Sequence, residues 1–318
     1  MDSFNLFNMW QYRKQACSME LRNGMGEKMK IKRSNGEKIF DVILICFMVI
    51  FCFTTLYPFI YLLSLSLTPT DISTTTLRFF TPEITFKNYI KVFESDNLVI
   101  GFINTLKRVA LGTSVQLIAI LGCAYALSKR YFPHRNFWTT LIVFTMYFSG
   151  GLIPTYLLIK NLNLINNIWV YVLPGLVPTF TMMIVRNFFM ALPDSLEESA
   201  KIDGANDITI LLRIIIPVSM PIIATVLLWQ IVGHWNAWFD CMVYMKDRSK
   251  AVLMLTLRRV LLEGTEDLGA MAGAGQEVVR SESLKAAITM IVVLPIICVY
   301  PFLQKYFVKG IMVGSLKG

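Results

Sequence analysis

The chain has 318 residues, with 30 Lys and Arg against 21 Asp and Glu and a formal net charge of +9. Hydrophobic residues make up 55% and charged residues 16%, against about 25% charged in an ordinary soluble domain, and mean hydropathy is +0.57. These values exclude a disordered chain, a collagen-like fibre and a small disulfide scaffold, and they argue against a water-soluble enzyme.

Residues 1–38 read as a basic segment in which Arg22, Lys28, Lys30, Lys32, Arg33 and Lys38 crowd together. Long apolar blocks follow at Val42–Leu67, Val109–Leu127, Phe137–Ile159, Ile168–Met190, Ile214–Phe239 and Ala286–Phe307. A helix needs roughly 20 mostly apolar residues to cross about 30 Å of hydrocarbon. Strands of a membrane barrel would instead alternate in polarity over about ten residues. The blocks therefore predict an all-α membrane protein with a six-helix domain over 39–307 and a tail at 308–318. The first span is longer than the apolar core of a cleaved leader and is expected to be a retained anchor. The six cysteines form no CxxC pair, read as small buried hydrophobes and suggest no metal site.

Lys and Arg beside the spans set the expected orientation, because they collect on the cytoplasmic side. The basic amino-terminal segment, the Lys129, Arg130 and Arg135 group between spans two and three, and Lys305, Lys309 and Lys317 in the tail all fit cytoplasmic termini. The segment 240–285, whose basic and acidic residues balance, is then an extracellular loop. Basic residues grouped at span ends suit anionic headgroups and give no nucleic-acid face. No Asp or Glu falls inside the six windows, and His234 is their one titratable histidine, read as a packed or hydrogen-bonded residue. A carrier coupling protons through its own core needs such groups and is disfavoured. Gly269–Gly275 lacks the Lys and Ser/Thr of a phosphate-binding loop, so no cofactor is expected on this chain. The chain is not expected to be an enzyme.

Between spans four and five runs LPDSLEESAKIDGANDITILLRIIIP, from Leu192 to Pro217. Ser195 followed by Glu198 has the spacing of a capping box, and Asp194, Glu197 and Glu198 suit a helix amino terminus. Gly204 offers a stop after about two turns. A short polar helix is thus predicted, either a solvated loop helix or a lever for a partner's groove.

Glu198-Ser199-Ala200, Gly204 and Ile214-x-Ile216-Pro217 resemble, at identical spacing, the E-A-A-x3-G-x9-I-x-L-P signature of ATP-binding-cassette (ABC) importer permeases, with Ser199 and Ile216 as departures. The ending Gly314-Ser-Leu-Lys317-Gly318 is similar to the G-x-x-K-G terminus of maltose-type permeases. Gly150–Tyr156, Ile202–Ala205 and Trp235–Trp238 resemble the LplC/YtcP-like branch, associated with complex oligosaccharides. The resemblance implies the six-helix type I (MetI-like) architecture in a bacterial plasma membrane. It also implies a second permease completing a heterodimer, two ATPase subunits carrying ATP and Mg, and an extracellular binding lipoprotein that delivers an oligosaccharide. Ser195, Glu198, Ala200, Asp203, Gly204 and Ala205, in a coupling helix over about 195–207, would dock on the ATPase, with Gly314, Lys317 and Gly318 reaching the same interface. Tyr147, Trp235, Asn236 and Trp238 are candidates for the sugar pathway, although Trp and Tyr also anchor membrane interfaces. The loop at 240–285 is long enough to meet the binding protein. Two other readings stand beside this one: an importer of another solute class, and a self-sufficient secondary carrier.

Overall fold

The structure, a computed structural model, describes residues 35–69, 84–262 and 282–315. The basic segment up to residue 34, the central part of the predicted outer loop, and Lys317 and Gly318 lie outside the described residues. Contacts divide the chain into two units, Met1–Tyr57 and Pro58–Gly318. The described part of the first unit is the leading stretch of α1 (Asn35–Ser66), an apolar helix with Ile43, Phe47, Ile50 and Phe51 all exposed. An outer face of this kind is stable against lipid tails or partner helices and not against water.

In the second unit, α2 (Lys87–Phe93) is held to the end of α1 by Asn88, which is 1% exposed and donates to the carbonyls of Ser66 and Thr68 at 2.8 Å. α3 (Asp96–Ser128) follows as one unbroken helix of 33 residues. It begins well before the predicted Val109 because Asp96, Asn104 and Arg108 hide the start of the helix from an apolar window. Its buried stripe, Thr105, Arg108, Gly112, Gln116, Ile120 and Ala124, recurs every three or four residues and faces the rest of the unit.

The next three spans are broken. α4 (Arg135–Tyr147) and α5 (Leu152–Asn161) meet at 115° across Gly150 and Gly151. Two 3-10 turns, Ile168–Tyr171 and Leu173–Gly175, meet α6 (Thr179–Met190) at 55° around Pro178. After α7 (Ser195–Ile202), α8 (Asp207–Ile210) runs through a π-helical turn, Leu211–Ile215, into α9 (Ile216–Val218). That stretch bends by 86° into α10 (Met220–Asn236). Pro217 and Pro221 flank this bend, each lacking the N–H that would continue the helical ladder. Among the described residues, three helices are long and apolar enough to cross a membrane, and counting each bent pair as one span brings the total to six.

The predicted outer loop is largely structured where it is described. α11 (Phe239–Tyr244) and α12 (Leu253–Leu262) place Cys241, Tyr244, Leu253, Leu255 and Leu257 in the core, ahead of the long α13 (Glu282–Ser315). Leu253, Leu257 and Val260 pack with Trp235, Ile288 and Val292. At the opposite end of α3, Ile120 and Ala124 pack with Met182, Val185, Ile210 and Ala200 of α7.

Candidate functional site

The amino end of α7 is formed by backbone alone. Leu196 N–H bonds the Pro193 carbonyl at 3.2 Å, and those of Glu197 and Glu198 bond Asp194 at 3.0 and 3.1 Å. With these donors satisfied, the expected Ser195–Glu198 capping box does not form. Ser195 is the first helical residue and makes no side-chain cap. The carboxyl end behaves as the glycine predicts, two residues past the helix. Gly204 sits at φ +81°, its N–H donates to Lys201 at 3.0 Å, and Ala205 N–H donates to Ala200 at 2.9 Å. This paired bonding satisfies the last carbonyls and turns the chain back, so the helix ends at Ile202 and not near 207. Asn206 then opens α8, its side chain accepting from Thr209 N–H at 2.8 Å.

The two faces of α7 differ sharply. Ala200 is buried and belongs to the core, whereas Glu198, Asp203 and Gly204 are exposed. Ile202 is 86% exposed, with Ile208 and Leu212 also largely open on the turn and helix that follow. Sequence reading passed over these three apolar residues because isoleucine and leucine beside a membrane span are ordinary. An acidic side chain and an open isoleucine thus share the outer side of a helix that its other face holds to the core.

A second group of residues ties α7 to the end of α3. Lys129, one residue past α3, pairs with Glu197, and both side chains are mostly buried. The Lys129 ammonium also lies 4.2 Å from the Tyr125 ring centroid. Tyr131 donates its hydroxyl to Asp207 at 2.9 Å, and Lys201 sits 4.3 Å over the Tyr131 ring and 3.6 Å from Asp207. Partial burial, then the Asp207 hydrogen bond, pushes the Tyr131 phenol above its ordinary pKa. Arg186 of α6 donates a buried bond to the Leu127 carbonyl at 2.9 Å and so ties α6 to the same end of α3.

Toward the other end of α3 lies a buried polar stripe. Asn104 donates to the carbonyls of Ser249 and Ala251 at 2.8 and 3.0 Å, and Thr105 accepts from Leu253 N–H at 2.9 Å. Arg108 makes a bidentate pair with Asp240, bonds Ala237 carbonyl at 3.3 Å, and lies 4.2 Å from the Tyr171 ring centroid. About two turns further along the helix, Gln116 donates to Gly175 carbonyl at 2.9 Å and meets His234 Nε2 at 3.0 Å. His234 is therefore packed and hydrogen-bonded, as its sequence context suggested.

The sugar-pathway candidates separate. Trp235 is 5% exposed, donates its indole N–H to Val292 carbonyl at 3.0 Å and stacks edge-on with Phe102, so both polar and aromatic surfaces serve the core. Trp235 is thus a packed residue of the core. Trp238 is half-buried with Arg258 3.7 Å over its ring, while Asn236 is exposed. Tyr147 is 74% exposed at the end of α4. Gly314 falls near the end of α13.

A bundle of long and broken apolar helices, with a polar helix presented at one end, defines a membrane permease. No family model matches the chain. It is 37% identical to LplC of Bacillus subtilis over 92% of this chain and 100% of that protein. It is 34% identical to the polygalacturonan/rhamnogalacturonan transport system permease YtcP of the same organism, over 89% of this chain and 99% of that one. A solved bacterial ABC transporter involved in import of the acidic polysaccharide alginate superimposes with a TM-score of 0.78 at 31% identity, covering 86% of this chain and 99% of that chain. The chain belongs to the carbohydrate-type permease family of ABC importers, in the branch of LplC and YtcP.

Proposed function

We propose that this chain is the permease subunit of a bacterial importer for a complex oligosaccharide, driven through α7 by ATPase subunits in the cytoplasm. The observation that carries the reading is α7 itself. Its buried side is fixed by Ala200, and its outer side presents Glu198 and the Gly204 turn at the spacing of the EAA signature, with the exposed Ile202 between them. The names of its relatives support the cargo class: YtcP is a polygalacturonan/rhamnogalacturonan permease, and the superimposable transporter imports alginate.

In this reading a second permease completes the pathway, and a binding lipoprotein outside the cell delivers the sugar. Two ATPase subunits hold ATP and Mg, so this chain performs no chemistry itself. Both termini lie in the cytoplasm with α7, and Asp240–Leu262 faces outward. Glu198 supplies charge to a basic residue of the ATPase cleft, and Ile202 supplies the apolar anchor at its centre. Ser195, Asp203 and Ala205 complete the docking segment, with Gly314, Lys317 and Gly318 approaching the same subunit. Asn236, Trp238 and Tyr147 are the candidates for contact with sugar, by stacking and hydrogen bonding.

Glu198→Lys and Gly204→Asp test the reading in the assembled importer. Each is expected to abolish substrate-stimulated ATP hydrolysis and uptake while the chain still inserts in the membrane. Normal uptake in both variants would show that α7 is not the coupling element.

A further inference from the structure

The covalent routes out of α7 are poorly suited to carrying force. Residues 191–194 lead to α6, a span already bent by 55°, and the α8–α9 route passes a π-helical turn, Pro217 and an 86° bend before reaching α10. α3 is different. It is the one long helix among the described residues with no internal proline, and its 33 residues extend about 50 Å at 1.5 Å per residue. Its α7 end is joined to the coupling helix by Lys129–Glu197, and Tyr131 holds both Lys201 and Asp207. Its other half grips the segment 237–253 through Asn104, Thr105 and Arg108.

We propose that Lys129 and Tyr131 are positioning residues that clasp α7 to α3. α3 is then the rod that delivers motion of the coupling helix to the segment 237–253 at the opposite side. The inference rests on the reading of α7 as the ATPase-docking helix. It adds that the clasp stays closed while the importer turns over. The Lys129–Glu197 pair suits this role, because both side chains are largely shielded from water and a charge pair of that kind is weakly screened. Lys129 is further held by the Tyr125 ring. With Glu197 engaged inside the chain, Glu198 is the acidic residue of the first turn left to face outward.

The test uses the full importer, with its second permease, ATPase and binding protein, reconstituted in liposomes. The readout is ATP hydrolysed per solute imported, which a merely structural defect leaves unchanged because uptake and hydrolysis then fall together. Lys129→Glu and Glu197→Lys are each expected to raise that ratio by about tenfold, within the usual range of coupling free energies. The double variant, which restores opposite charges, is expected to return it toward the native value. Tyr131→Phe should raise the ratio by a smaller factor. Because charge reversal can impair expression, Lys129→Cys combined with Glu197→Cys supplies a second arm. Bridged by a short bis-thiol reagent, that pair is expected to transport with the native ratio, and unbridged it is expected to be uncoupled. Native ratios in the single variants, parallel loss of uptake and hydrolysis, or a dead bridged protein would each overturn the clasp. Failure of the ATPase to co-purify with the unsubstituted chain would overturn the docking reading beneath it instead.

Discussion

Gly112 owes its identity to His234. A Cβ at position 112 would lie 2.5 Å from two atoms of the imidazole, closer than real contacts allow, so α3 and α10 approach only because that side chain is absent. Gly112→Ala should force the ring away from Gln116, at about 1–3 kcal/mol for an overpacked core. The expected result is a lower unfolding temperature in detergent, partly recovered when His234→Ala is added. An unchanged transition in Gly112→Ala would mean that the helices do not meet there. Gly204 is glycine for another reason: nothing lies within 4 Å of the Cβ it lacks, but its φ of +81° is strained for any L side chain. The second requirement was legible in the sequence, because a glycine about two turns after a polar helix start reads as a helix stop. The first was not, since its cause lies on another span and Gly112 reads as an ordinary small residue of a membrane helix.

At the scale of elements, the apolar blocks located each span and the proline and glycine positions located the breaks, yet neither could give the angles. Those follow from how each half packs: α6, after Pro178, lies on α3 and α4, whereas α10, after the bend beside Pro217, lies on α3 and α13. The polar stripe of α3 stayed hidden for a simpler reason. Arg108 and Asp240 each fall one residue outside an apolar window, and each alone looks like a charge at a span edge. In the fold, α3 starts twelve residues earlier than Arg108, and the two charges meet with the arginine side chain 3% exposed. Taking one partner from a buried pair strands the other charge and costs about 3–5 kcal/mol, whereas replacing both by apolar residues is often tolerated. Arg108→Met and Asp240→Leu are therefore each expected to lower membrane yield and unfolding temperature strongly. The double variant is expected to recover most of the loss. If the double variant is as unstable as the sum of the singles, the pair is not a unit and does not fasten α3 to segment 237–253.

For the whole molecule, orientation decides whether α7 can reach an ATPase at all. Lys129, Arg130 and Arg135 near α7 favour a cytoplasmic placement, but Lys246, Arg248 and Lys250 at the other end carry the same sign and oppose it. The structure offers a reason to discount the second group. Lys250 donates to the Asn166 carbonyl at 2.8 Å, as Arg258 nearby in sequence covers the Trp238 ring, so Lys250 helps fold the structured segment and is not a free flank of a span. Cysteine labelling in vesicles of known sidedness separates the alternatives. Cys46, Cys52 and Cys298 lie in apolar helices long enough to cross the hydrocarbon, which a charged maleimide does not enter, and they should remain silent toward it. With Cys17 changed to serine, Glu198→Cys is expected to label only when the cytoplasmic face is open to reagent, and Lys246→Cys only when the outer face is. Labelling of both from one side would leave too few crossings between them. Labelling of Glu198→Cys from outside would put the docking surface beyond the reach of any cytoplasmic ATPase. Because residues 198 and 246 are separated by the strongly bent fifth span, opposite labelling would also establish that its two halves, meeting at 86°, together make one complete crossing.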